Sequence, residues 1–202
     1  GFFAFVAFFP QLVAGPIERA SNLLPQITQR RIFSYKQSVD GMRQILWGIF
    51  KKVVIADNCA VFTNHIFENY HSHNGIMLIV GVILFTFQIY ADFSGYSDIA
   101  IGTSKLLGIK LMQNFSTPYF SKSIAEFWRR WHISLSTWFR DYLYIPLGGS
   151  RVSRSLQIRN ILIVFLVSGL WHGANWTFIF WGAVHGFLNS IGRTKWKINT
   201  PK

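Results

Sequence analysis

The stretch NILIVFLVSGLWHGANWTFIFWGAVHGFLNSIG, residues 160–192, holds 33 consecutive residues without a formal charge. As one α-helix it would be about 50 Å long, against a hydrocarbon core of about 30 Å. It must therefore tilt strongly, break or fold back. Gly169 and Gly173 bracket the expected break, with Trp171 and His172 between them. Both flanks are basic, with Arg151, Arg154 and Arg159 before the run and Arg193, Lys195 and Lys197 after it. A single span cannot keep both flanks on one side of a bilayer, whereas two legs joined near His172 can. The G-x-x-x-G spacings at 169–173 and 182–186 predict close helix contact.

Composition agrees with a membrane setting. Of 202 residues, 50% are hydrophobic and only 14% charged, where a soluble domain carries roughly a quarter. Twenty Phe and eight Trp exceed what one modest soluble core hides. Twenty basic against eight acidic residues give +12. With so little polar surface, that excess fits basic membrane loops better than a nucleic-acid binder, and disorder is excluded by the hydrophobicity. The single Cys59 leaves no intramolecular disulfide and no cysteine-based zinc site. No signal peptide is visible, and the chain starts inside an apolar stretch. It reads as one transmembrane domain over 1–202, the central section of a longer polytopic protein truncated at both ends.

Other segments follow the same ruler. Residues 2–9 look like the end of a helix, broken by Pro10, Gly15 and Pro16. Residues 18–36 read as a basic interfacial loop or short helix. Ser38 or Asp40 is placed to cap the next helix, which is interrupted by Lys51 and Lys52 and continues to about Phe67. Residues 69–91 are uncharged and make the cleanest span. Asp92 and Asp98 then mark either a helix terminus at the membrane surface or a carboxylate inside the bundle.

Residues 123–143 form an amphipathic pattern when read as one helix. Ile124, Trp128, Trp131, Leu135, Trp138, Phe139 and Tyr142 share a stripe, and Glu126, Arg129, Arg130, Arg140 and Asp141 lie opposite. Such a helix lies along the interface. His132 falls on the border between the faces. Among the other histidines, His65, His71 and His73 sit in a polar connection without metal-site spacing, and no metal is expected. His172 is an ionisable group inside the uncharged run, a position that points to function, and its neutral imidazole is a candidate general base. His185, thirteen residues on, lies about 140° away if the helix is continuous and reads as a packing residue.

Five blocks in order resemble the membrane-bound O-acyltransferase (MBOAT) family, in its bacterial alginate O-acetylation branch. They are Phe9–Ile17 (FPQLVAGPI), Tyr90–Asp98 (YADFSGYSD), Phe127–Ser136 (FWRRWHISLS), Arg140–Gly149 (RDYLYIPLGG) and Ser168–Trp176 (SGLWHGANW). The resemblance implies an all-α polytopic membrane protein, a ring of transmembrane and interfacial helices around a central tunnel. It implies a bacterial inner-membrane location, with His172 catalytic at the tunnel constriction and His132 the second characteristic histidine. The donor it implies is a cytoplasmic acyl thioester such as acetyl-CoA, with no tightly bound cofactor. The acyl group passes to an extracytoplasmic polysaccharide or a partner acetyltransferase.

Substrate contacts are expected at Arg129, Arg130, Asp141, Trp171 and Asn175. Asn175, or backbone N–H groups freed near Gly173, would stabilise an oxyanion, and the two arginines would meet donor phosphates or lipid headgroups. The bilayer itself is an expected partner, and nucleic acid is not. D-alanyl transfer to teichoic acid, a transporter and a non-enzymatic scaffold are the competing readings.

Overall fold

The computed structural model describes residues 1–196, and their side chains as far as Ile191. The flank expected at Arg193, Lys195 and Lys197 lies outside the described side chains. All regular structure among the described residues is helical, and the chain divides into two compact units, Gly1–Asn114 and Phe115–Lys202.

In the first unit, α1 (Phe2–Val6) ends before a 3₁₀ turn at Phe9–Gln11, as the Pro and Gly residues require. The short helix α2 (Ala20–Thr28) follows. Glu18 accepts from Asn22 and from the Met112 amide, and Gln26 bonds Lys110 through both its N–H and its carbonyl. Leu23, Phe8, Ile101, Ile109 and Leu111 close a small core beside these bonds.

Helix α3 (Tyr35–Ile49) starts earlier than expected. Ser34, in extended backbone, is its cap and accepts from the Gln37 amide, while Ser38 and Asp40 lie inside the helix. Asp40 pairs instead with Lys105. A π-helical segment, Phe50–Ala56, carries the chain without a break into α4 (Asp57–Glu68).

Both α3 and α4 pack on the 32-residue helix α5 (Gly75–Leu106). The α3–α5 contact rests on glycine. A Cβ on Gly48 would lie 2.6 Å from the Gly95 carbonyl oxygen, and one on Gly102 would lie 2.6 Å from that of Gly41. These pairs, seven residues apart and running antiparallel, bring two backbones together as small residues do in membrane helices.

Of the two readings of Asp92 and Asp98, the helix terminus does not occur: α5 runs on through both carboxylates. Two lysines compensate them. Lys51 Nζ donates to Asp98 at 2.5 Å and to Ser94 at 2.9 Å, and Gln44 Nε2 holds the other Asp98 oxygen at 2.8 Å. Lys52 lies 2.8 Å from both Asp57 and Asp92. At about 48 Å, α5 exceeds a bilayer core. Its apolar first half suits lipid, while its small-residue second half is buried in protein.

In the second unit, the expected amphipathic helix is two. Helix α6 (Ile124–Arg130) stops at Trp131, and α7 (Ile133–Phe139) begins after His132, whose φ of +44° leaves the right-handed region. The single helical wheel over 123–143 is therefore invalid beyond Trp131. A π-helical turn, Arg140–Tyr144, leads through glycine turns at Gly148 and Gly149 into α8 (Arg154–His172).

The predicted fold-back near His172 is present. Gly173, Ala174 and Asn175 separate α8 from α9 (Trp176–Trp196). The two helices run antiparallel, with Gly169 against Phe178 and Gly182, and Gly186 against Phe165. A Cβ on Gly169 would sit 2.3 Å from the Phe178 carbonyl oxygen. Among the described residues, α5 and α8 are long and apolar enough to cross a membrane.

Candidate functional site

The break between α6 and α7 positions one histidine, and the end of α8 positions the other. His132 precedes the first residue of α7 and is 6% exposed. His172 is the last residue of α8. Both line one cavity of about 420 Å³ inside the second unit. Its walls are largely apolar, with Leu135, Phe139, Ile161, Val164 and Phe165 among them.

Aromatic rings fix the two imidazoles. The Trp171 ring centroid lies 6.4 Å from His132 and 4.9 Å from His172. Trp181 stands edge-on to His172 at 5.3 Å and lies 4.9 Å from His185. One ring thus touches both histidines, and the 140° separation deduced from a continuous helix fails because the chain folds back between them. His185 packs on Trp128 at 5.1 Å, in keeping with a packing role. Burial, and then the nearby charge of His172, push His132 down to about 4, so it is neutral at physiological pH.

The other expected contacts divide. Arg129 lines the cavity. Arg130 is held by Glu126 at 2.6 Å and reaches Thr117, and it is not among the lining residues. Asp141 sits 2.8 Å from Arg140, and it is Arg140 that lines the cavity. Trp171 is 56% exposed. Asn175 caps α9: its Oδ1 accepts from the Thr177 amide and hydroxyl, both at 3.1 Å, and the residue is not in the cavity wall. Arg140, Tyr144, Ser168 and Asn189, none of them among the substrate contacts expected from the sequence, also line the cavity. For Asn189 a signal existed, since a polar amide inside an apolar run needs a partner.

Among the described residues, no three His, Cys, Asp or Glu side chains gather as a metal set. A buried neutral histidine, a second histidine at a helix end and two guanidinium groups share an apolar-walled cavity. That combination suits proton transfer to and from an uncharged substrate bearing an anionic appendage.

Comparison with known proteins bears on the reading. The profile of MBOAT, the membrane-bound O-acyltransferase family, matches residues 1–193. The chain belongs to that family. It is 49% identical over 192 residues to the "Probable alginate O-acetylase AlgI" of Azotobacter vinelandii, covering 95% of this chain and 38% of the relative. It is 47% identical to the "Peptidoglycan O-acetyltransferase" of Helicobacter pylori, covering 94% of this chain and 36% of the relative. The "Teichoic acid D-alanyltransferase" of Bacillus subtilis is 31% identical, with 91% of this chain and 49% of the relative covered. The chain thus spans under two fifths of the length of the first two relatives. All lining residues of the two-histidine cavity fall inside the family match.

Proposed function

We propose that the protein is a membrane O-acetyltransferase that moves an acetyl group from a cytoplasmic thioester towards hydroxyls of an extracytoplasmic polysaccharide. The observation that carries this reading is His132 and His172 in the wall of one apolar cavity, within a chain of this family whose O-acetylating relatives are near 50% identical. The polysaccharide class follows the alginate O-acetylase and peptidoglycan O-acetyltransferase names of those relatives. D-alanyl transfer is the weaker reading, supported by a relative at 31%.

In the proposed reaction His172 takes the proton of the acceptor hydroxyl as its oxygen attacks the thioester carbonyl. The tetrahedral intermediate collapses with cleavage of the C–S bond, and the departing thiolate receives the proton from His172. His132, kept neutral by burial, orients the donor or tunes the proton affinity of His172. Arg129 and Arg140, which line the cavity, take the phosphates of a coenzyme A donor, Arg140 while paired with Asp141; Arg130 lies outside the cavity wall. Asn175, occupied as a cap and outside the cavity wall, is replaced in this scheme by backbone N–H groups near the α8–α9 break as oxyanion donors.

The full protein is proposed to surround the cavity with a ring of helices, so that a tunnel joins both faces of the bacterial inner membrane. An extracytoplasmic acetyltransferase is its proposed partner. The test is His172→Ala and His132→Ala in the full-length protein, with acetylation of the polysaccharide and thiol release as readouts. Loss of turnover in a folded His172→Ala variant is expected, and turnover at the normal rate refutes the assignment. Substrate uptake by proteoliposomes without acyl turnover would establish transport instead.

A further inference from the structure

One end of the first unit carries charge that the reaction does not use. Close contacts of Gly41 with Gly102, Gly48 with Gly95 and Ile66 with Gly81 show that α5 runs antiparallel to α3 and α4 along its length. The start of α3 and the end of α5 therefore lie together, and Arg31, in the loop before α3, rests against Gly108 just beyond α5. That end bears Arg30, Arg31, Lys36, Arg43, Lys105 and Lys110. Of the nearby acids, Asp40 is taken by Lys105, and Glu18 is buried against the Met112 amide. No Lys or Arg occurs between Lys52 and Lys105, so the opposite end has none. Positive charge gathered at one end of a candidate span assigns that end to the cytoplasmic side.

The loop Arg30-Arg31-Ile32-Phe33-Ser34-Tyr35-Lys36 adds a second feature. Ile32, Phe33 and Tyr35 are 76–87% exposed, and Arg30, Arg31 and Lys36 are exposed beside them. Lys36 and Arg43 also wall an open hollow of about 670 Å³ over the start of α3, where the wall's Asp40 is already held by Lys105. Apolar side chains and cations side by side need a partner that is apolar and anionic at the same depth. A lipid leaflet offers this, with acyl chains beneath a layer of phosphates. A further apolar helix of the same chain would cover the rings and leave the cations unmatched. An acidic protein would match the cations and leave the rings against polar surface.

We propose that residues 30–36, with Arg43, form an anionic-phospholipid site. Ile32, Phe33 and Tyr35 enter the cytoplasmic leaflet, while Arg30, Arg31, Lys36 and Arg43 hold phosphodiester headgroups such as that of phosphatidylglycerol. Acyl transfer plays no part in the argument, so acetylation is not the readout.

The test places a photoreactive p-benzoylphenylalanine at position 33 of the full-length protein. It is irradiated in native membranes and in vesicles of equal parts phosphatidylglycerol and phosphatidylcholine, and the adducts are weighed by mass spectrometry. Lipid adducts are expected, with phosphatidylglycerol favoured about fivefold, the factor contributed by one basic residue at an anionic surface. Adding Arg30→Gln, Arg31→Gln and Lys36→Gln should return that ratio to about one while lipid adducts persist. Equal labelling of the two lipids by the unaltered loop overturns the proposal, as does a ratio that survives the three substitutions. Crosslinks within the chain, to a second copy or to another protein in place of lipid also overturn it. Loss of the preference on adding inorganic phosphate at constant ionic strength assigns the cations to a soluble anion and overturns it as well.

Discussion

Replacing Lys51 by Met should destabilise the protein far more than the same change at Lys52, although Lys52 meets two carboxylates and Lys51 one. The difference lies in exposure. The Lys51 and Asp98 side chains are 11% and 22% exposed and meet at 2.5 Å, while Lys52, Asp57 and Asp92 are 42–52% exposed. Exposed pairs contribute about 0–1 kcal/mol, whereas removing one partner of a buried pair costs about 3–5 kcal/mol. Partial exposure of Asp98 and its remaining bond from Gln44 lower that figure. Lys51→Met is therefore expected to cost about 2–3 kcal/mol, and Lys52→Met under about 1 kcal/mol. Adding Asp98→Leu to Lys51→Met should recover much of the loss, because an apolar pair no longer leaves a buried carboxylate uncompensated. The assay is reversible unfolding of the full-length protein in mixed micelles, followed by helical circular dichroism over an SDS titration. Additive losses for Lys51→Met and Asp98→Leu, or equal losses at the two lysines, would refute the reasoning.

Two further outcomes follow from the second unit. His132 is lowered to about 4 by burial, so between that value and the unfolded 6.5 the unfolded chain binds more protons. Stability conferred by the neutral ring is complete above about pH 6.5 and falls as pH drops towards 4, by about 3 kcal/mol in all. Unfolding titrations of wild type and His132→Gln across that range should show the variant lacking this slope. Asn175→Ala removes a helix cap and should cost about 1 kcal/mol of stability while leaving kcat within a few-fold. A loss of kcat of a hundredfold or more would restore Asn175 as an oxyanion donor.

The parts of the fold legible in the sequence are those set by local arithmetic. An uncharged run too long for one crossing had to turn, and its glycines placed the turn between Gly169 and Gly173, whereas α8 continues through Gly169 to His172 and the break is at Gly173, Ala174 and Asn175. The parts that were not legible depend on partners distant in sequence. Asp92 and Asp98 mark a helix end only while their compensating charges are unknown. Lys51 lies 47 residues before Asp98 and Lys52 lies 40 before Asp92, and these pairs let α5 continue through both carboxylates. A wheel drawn over 123–143 assumed a constant 100° step, and the left-handed His132 resets that phase. Composition favours no such break, since a positive φ at a histidine is uncommon.

The same break explains why His132 looked ambiguous and is not. On a continuous helix it falls between the aromatic stripe and the arginines, half in each environment. At the junction of two short helices it points into the cavity that His172 also lines, while Arg129 and Arg130 remain on α6 and diverge there, one to the cavity and one to Glu126. A strained backbone in the middle of a block shared with a catalytic family is best explained by what it achieves. Here it detaches the orientation of one imidazole from the helix that carries the arginines. The segment thereby sets one imidazole in the cavity wall independently of the arginine-bearing face of α6.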